Sequence, residues 1–239
     1  MQNSERKFLL LGMAGRPAWY PSSGPQLSLN RALTSSGAVQ WPNWELLPDS
    51  NDSCLPTTKR SVPCAQGRVP LYAVPAKSAE DIQAAINFAR EHNVKLVVKN
   101  SGHDYLGRST AAGALSIWTH FMKDISFASK FTPSGCYKSE PEHAVTIGAG
   151  VQLHELYQAV AAKGRIVVAG SSSTVGAAGG YVQGGGHSAL GVWKGMSADN
   201  ILQFTVVTAD VSISLLMTRN TPLMETTGQT PHRQRMPKP

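Results

Sequence analysis

The sequence predicts an α+β fold for residues 66–210. Three observations carry it: a strand–helix–strand unit over residues 69–99, a second amphipathic helix over 151–163, and six strand-like runs against those two helices. With 239 residues, 41% of them hydrophobic, the chain is long enough to bury a sizeable core and too apolar to be wholly disordered.

Residues 1–65 precede this region and are rich in Pro, Ser, Asn and isolated Trp. They lack periodicity and read as an irregular arm. Cys54 and Cys64 bracket a Pro-containing loop, CLPTTKRSVPC, with no His at zinc-like spacing, so a disulfide is the better reading than a metal site. Cys136 is left single. Asn51-Asp52-Ser53 is an N-glycosylation sequon, which with the disulfide favours a secretory ancestry. KFLLLGMAG, however, has an apolar core of about five residues, short of the roughly 7–15 of a signal peptide. Localisation therefore stays open.

Residues 69–74 read as the first strand, ended by Pro75. Ser78 is placed to cap a helix, with Glu80 and Asp81 in its positively polarised first turn. Ile82, Ala85, Ile86 and Ala89 fall at i, i+3, i+4 and i+7, one apolar face. Residues 95–99 form the next strand, giving a right-handed βαβ unit. Residues 114–118 and 144–147 are further strand candidates. The helix over 151–163 carries Leu153, Leu156, Tyr157 and Val160 on one side, and Gly164 stops it. Residues 165–169 and 201–208 complete the strands. From Val211 the pattern breaks: residues 211–239 show neither amphipathic period nor strand–turn spacing, and the end of this tail is expected to be disordered.

Composition excludes two function classes. No run approaches the roughly 20 apolar residues of a membrane span. The net charge of +7 is not a nucleic-acid signature, because residues 66–210 carry 12 basic and 10 acidic side chains while residues 211–239 carry 4 and 1.

Two segments carry the chemistry. Residues 99–109, KNSGHDYLGRS, directly follow the strand over 95–99. A small-residue turn at a strand's carboxyl end lets backbone N–H groups converge on an anion, and Gly102 permits the unusual φ such a turn needs. His103 stands at its apex. Lys99 and Arg108 flank the turn and could offset a ligand's negative charge. The second segment holds nine Gly among residues 170–195. Ordering so many glycines is unfavourable by roughly 0.5–1 kcal/mol each relative to Ala in regular structure. Close approach of phosphates or a flat ring system to the backbone would account for them. GGGHSALG at 184–191 misses the GxGxxG spacing, and no GxxxxGK[ST] is present, so neither a dinucleotide fingerprint nor a P-loop is predicted.

SGHDYLGRS, ALSIWTH, STVGAAGGYVQGGGHSALG, SADNI and VVTAD occur in this order. Together they resemble the FAD-binding (PCMH-type) domain of the vanillyl-alcohol-oxidase-like flavoproteins, and within them the fungal oxidases related to berberine bridge enzyme. The resemblance spans residues 54–210. It implies two subdomains with FAD held between them. Ser101, Gly102, His103 and Asp104 would form the pyrophosphate turn, with His103 bonding covalently through a ring nitrogen to the flavin 8α carbon. Ser171, Ser172, Thr174, Gly176, Gly179 and Gly180 would run beside the pyrophosphate and the isoalloxazine. Gly184, Gly185 and His187 would pack close to the cofactor, and Ile201 and Val206 would lie on the strand flanking the adenine side.

Two departures from the family follow. Doubly tethered relatives carry Cys in the frame Cys-Pro-Thr-Val-Gly, where this chain has Ser172-Ser173-Thr174-Val175-Gly176. A hydroxyl cannot replace that thiolate, so one covalent link, through His103, is expected. After Asp210 the family continues with a Gly, further strands and a substrate domain, none of which is present; the tail reads as out-of-frame or unspliced sequence. The catalytic base normally comes from that later part, so no residue here is assigned the role; Tyr105, His120 and His187 could titrate or hydrogen-bond near a flavin, but such residues are more often structural. The resemblance implies an FAD-dependent oxidase passing a hydride from a small-molecule, secondary-metabolite alcohol or amine to flavin, with O₂ as acceptor. The alternative is an inactive, truncated flavin-binding remnant.

Overall fold

The computed structural model describes residues 11–12, 68–134 and 142–217. Cys54, Cys64, Cys136, the sequon and most of the arm lie outside the described residues, as does the chain beyond Met217.

The first layer is a four-stranded sheet of β1 (Leu11–Gly12), β2 (Tyr72–Pro75), β3 (Lys95–Lys99) and β4 (Ala114–Trp118), in the order β1-β2-β4-β3. The expected strand–helix–strand unit is present, but β2 and β3 are not neighbours. β4 inserts between them and runs parallel to both. That central position explains why β4 is buried along its whole length, as a strand flanked on both edges should be. β2 starts at Tyr72 rather than at residue 69; ahead of it the Thr110 hydroxyl donates to the Arg68 carbonyl at 2.8 Å.

Helix α1 (Ala79–Glu91) begins as its sequence dictates. The Asp81 amide donates to Ser78 Oγ and the Ser78 amide to the Asp81 carboxylate, a reciprocal capping box. Ala85 is buried against Val74, Leu115 and Ile117, and Ile82 and Ile86 pack around the same cluster.

A second core forms around helix α2 (Leu153–Ala161), shorter at both ends than the expected 151–163. Val151, Leu153, Leu156, Val160, Ala169 and Ala177 are buried together, with Ile125, Val145 and Ile147 packed on them. The last three come from an antiparallel pair, β5 (Ile125–Phe131) and β6 (Glu142–Ile147). β6 was expected over 144–147; β5 is a strand the sequence pattern does not announce.

Residues 165–169 are a correction: they form no strand. Val168 O is bound instead by the Ser197 hydroxyl at 2.8 Å, and the neighbouring Gly170 O by the Tyr157 hydroxyl at 2.8 Å. The glycine-rich segment contains two single-turn helices, α3 (Gly180–Gln183) and α4 (Gly191–Lys194).

The expectation for residue 211 onward is also corrected in its first part. β7 (Gln203–Val207) turns back at 208–212 into β8 (Ile213–Met217), antiparallel to it, with Val206 opposite Ser214. The turn carries Val211 at φ +71°, a left-handed conformation rare for a β-branched residue.

Candidate functional site

The first loop leaves β3 with its polar groups tied down in order. Asn100 donates its side-chain amide to Ala149 O, and its own carbonyl accepts the Trp118 indole N–H at 2.9 Å. Ser101 is buried and its Oγ accepts the Gly176 amide at 3.0 Å. Gly102 takes φ +87°, so the sequence expectation of unusual backbone at this residue is met. His103 follows, half-buried, and burial pushes its imidazole below the ordinary His value, favouring the neutral ring.

Asp104 serves its own loop. Its carboxylate accepts the amides of Leu106 and Ser109 at 3.2 and 2.9 Å, and Arg108 pairs with it at 3.1 Å. Burial pushes the carboxyl up, but Arg108 and the Leu106 amide outweigh this and hold it below the usual carboxylate range. The Arg108 guanidinium is thereby turned to Asp104, and Tyr105 and Leu106 are displayed on the surface.

The second loop is clamped along the start of α2. Leu153 N donates to Val175 O at 2.9 Å, His154 N to Ser173 O at 3.0 Å, and Ala177 N to Val151 O at 2.8 Å. Between them the buried Gln152 side chain donates to Thr174 O at 2.9 Å. Thr174 is buried, Gly176 is buried, and Ser171 and Ser172 are exposed.

The two loops meet at two points. Ser101 Oγ receives the Gly176 amide, and His103 Nε2 lies 2.7 Å from Thr174 Oγ1. Ser101, His103, Thr174 and Gly176, 71 to 75 residues apart in sequence, thus form one junction.

Around this junction the backbone is open to an acceptor. Among the described residues, the amides of Gly102, Ser172, Ser173 and Thr174 have no hydrogen-bond partner in the protein, nor do those of Ala178, Gly179 and Gly180. At Gly179, φ +71°, and at Gly180, a Cβ would meet nothing within 4 Å. Unpaired amides beside side-chain-free backbone are what a phosphate-bearing, flat-ringed ligand requires. The residues present therefore fit such a group.

The remaining candidates sit further along. Gly185 (φ +92°) packs on the Met196 methyl and passes its carbonyl to Ala198 N at 3.0 Å; Gly184 is exposed beside it. His187 is exposed, and its carbonyl accepts the Tyr181 hydroxyl at 2.8 Å. That hydroxyl also lies 2.7 Å from Ser197 Oγ. Ile201 precedes β7 and Val206 lies within it, both half-buried. Sequence reasoning missed Asn100 and Gln152, which position the loops. Their signal was available in principle: each is a polar residue at the edge of an apolar element, where an amide side chain satisfies backbone groups of a neighbouring loop.

The FAD binding domain family matches residues 70–214. The chain belongs to that family. An uncharacterized FAD-linked oxidoreductase of Arthroderma benhamiae is 54% identical over 191 residues, covering 78% of this chain and 32% of the relative. A VAO-type flavoprotein oxidase of Thermothelomyces thermophilus is 48% identical over 160 residues, covering 67% and 27%. The crystal structure of a VAO-type flavoprotein from Myceliophthora thermophila matches with a TM-score of 0.64 at 34% identity, over 89% of this chain and 44% of that one. The α+β FAD-binding fold expected from the motifs is thereby shown. The chain spans about a third of the length of the curated relatives named here. Among the described residues no helix is long and apolar enough to cross a membrane, and no group of His, Cys, Asp and Glu could hold a metal ion.

Proposed function

We propose that this chain is the FAD-binding portion of an FAD-linked oxidoreductase acting on a small molecule, with O₂ as electron acceptor and one covalent link to the cofactor through His103. When bound, FAD supplies two-electron chemistry, taking a hydride from a substrate carbon and delivering the electrons to O₂ as hydrogen peroxide. The relatives' naming as FAD-linked oxidoreductases and a flavoprotein oxidase supports the reaction class. An alcohol or amine of secondary metabolism is the substrate class proposed.

The single observation that carries the reading is the junction of His103 with Thr174 beside the unpaired amides of both loops. Ser101 and Gly102 shape the turn, and the amides of 172–174 and 178–180 offer donors to a pyrophosphate. His103, neutral through burial, keeps a lone pair at pH 7 with which to bond the 8α carbon. His103 would hold the cofactor through this nitrogen, and O₂ would be the two-electron oxidant that such a link requires. Ser172, exposed at the place of the second tether in doubly linked relatives, forms no bond.

The test is direct. The purified chain should take up FAD with a flavin absorbance band that survives acid precipitation, and should form peroxide with a substrate alcohol or amine when joined to the rest of a relative's chain. A chain that acquires no flavin at all overturns the reading.

A further inference from the structure

We propose that β8 is a dimer-forming edge: it pairs antiparallel with β8 of a second copy of this chain, about a two-fold axis at Leu215. The pairing involves neither loop of the cofactor site.

The ladder of the hairpin fixes which groups face outward. Thr208 N donates to Ser212 O, and from there Val207 lies opposite Ile213, Val206 opposite Ser214, Thr205 opposite Leu215 and Phe204 opposite Leu216. Hydrogen-bonded and non-hydrogen-bonded pairs alternate in an antiparallel ladder, so Ser214 and Leu216 turn their backbone groups to β7. Those of Ile213, Leu215 and Met217 turn to the other edge, where among the described residues no strand pairs with β8.

The side chains leave this edge open. Ile213, Leu215 and Leu216 are 49%, 50% and 51% exposed. Edge strands are ordinarily blunted by charge, lysine above all, or by proline. β3 has Lys95 and Lys99, β5 has Lys130 and β6 has Glu142, whereas β8, ISLLM, has neither charge nor proline.

A second copy fits because the strand is self-complementary. In a two-fold antiparallel pairing, a charge near the axis would face its own like charge. β8 brings none. With the axis at Leu215, that residue lies opposite its own counterpart and Ile213 lies opposite Met217 of the second copy. The outward N–H and C=O groups of 213, 215 and 217 are then the ones that bond. Two hairpins become one four-stranded antiparallel sheet, a gain for an element that is marginal in water when only two strands wide. The axis uses up the edge, so association closes at the dimer. Residues 218–239 are a poorer occupant, with prolines at 222, 231, 237 and 239 and an excess of basic side chains.

The experiment uses the full chain and reads its mass by sedimentation together with amide hydrogen exchange. Wild type should be a dimer that dissociates on dilution. The Leu215 amide should be protected in the dimer and exchange freely after dilution, while the Leu216 amide stays protected in both. Leu215→Lys, which sets two ammonium groups face to face at the axis, should raise the dissociation constant about a hundredfold. Val192→Lys, at an exposed apolar site elsewhere, should leave it unchanged. A wild-type monomer overturns the proposal, whether its Leu215 amide exchanges freely or is protected by another segment of the same chain. A dimer whose Leu215 amide exchanges freely overturns it too, as does one equally stable in Leu215→Lys. The wild-type exchange measurement decides the matter even if Leu215→Lys fails to fold.

Discussion

The side chain of Asn100 occupies the space in which a Cβ on Gly176 would lie. Nδ2 is 2.1 Å and Cγ 2.6 Å from that position. Asn100 cannot simply swing aside, because its Nδ2 donates to Ala149 O. The absence of a side chain at 176 is thus what lets its amide reach Ser101 Oγ and close the two loops on each other.

Gly176→Ala should therefore destabilise the domain by about 1–3 kcal/mol, the range for overpacking a rigid interior. Thermal unfolding should show a lowered midpoint. In an Asn100→Ala background the same substitution should cost markedly less, because the clashing atoms are gone. Equal costs in both backgrounds would show that Asn100 is not the obstacle.

His103→Ala should abolish acid-stable flavin while Ser172→Ala leaves it intact. The readout is flavin fluorescence migrating with the protein on a denaturing gel. The difference follows from chemistry: an imidazole nitrogen is a competent nucleophile when neutral, and an exposed Ser172 hydroxyl without an adjacent base is not. Fluorescence that persists in His103→Ala would place the tether elsewhere.

His120 should make the fold sensitive to mild acid. It is 6% exposed, stacks on Trp118 at 5.6 Å, and its Nδ1 has no hydrogen-bond partner. Burial lowers its pKa to about 4, helped by Lys123 and Lys99 and opposed by Glu155. The unfolded chain protonates this ring near its ordinary value of 6.5, so between about pH 6.5 and about 4 the unfolded state binds more protons. Stability is fully present above this window and falls as pH falls through it, by about 3 kcal/mol at most. Urea unfolding from pH 7 to pH 4.5 should show the loss. His120→Phe, which keeps a ring against Trp118, should flatten that limb of the profile.

How far the sequence could be read depended on whether the deciding contact was local. Ser78 and Asp81 cap α1 within four residues, and Gly102 shapes its own turn, so both were legible. β5 was not, because Ile125, Ala128 and Phe131 are its half-buried residues, a spacing of three where strands normally alternate by two. Residues 165–169 failed in the opposite direction. IVVA has every local mark of a strand, but its backbone is bound by the side chain of Ser197 rather than by a neighbouring strand. The partnership of His103 with Thr174 spans 71 residues, and no local pattern encodes it. The motifs located both loops; only the fold shows that they share a hydrogen bond.

Val211→Gly should stabilise the β7–β8 hairpin. The chain reverses between Thr208 and Ser212, with Thr208 N donating to Ser212 O at 3.0 Å and Val211 N to Thr208 O at 2.9 Å. Such a three-residue hairpin loop needs its last residue in the left-handed region, a position that suits Gly. Val211 occupies it at φ +71°, where its branched Cβ crowds the backbone. Replacing Val211 by Gly removes about 1 kcal/mol of left-handed strain, set against a smaller entropic loss from the freer unfolded chain. The Val211 carbonyl, which accepts Gln83 Nε2 from α1, is kept, so the hairpin's tie to the first layer should survive. Amide hydrogen exchange at Phe204, Val206 and Leu216 should slow in Val211→Gly, while exchange in α1 is unchanged. Faster exchange in the hairpin would show that the valine side chain contributes packing that outweighs its strain.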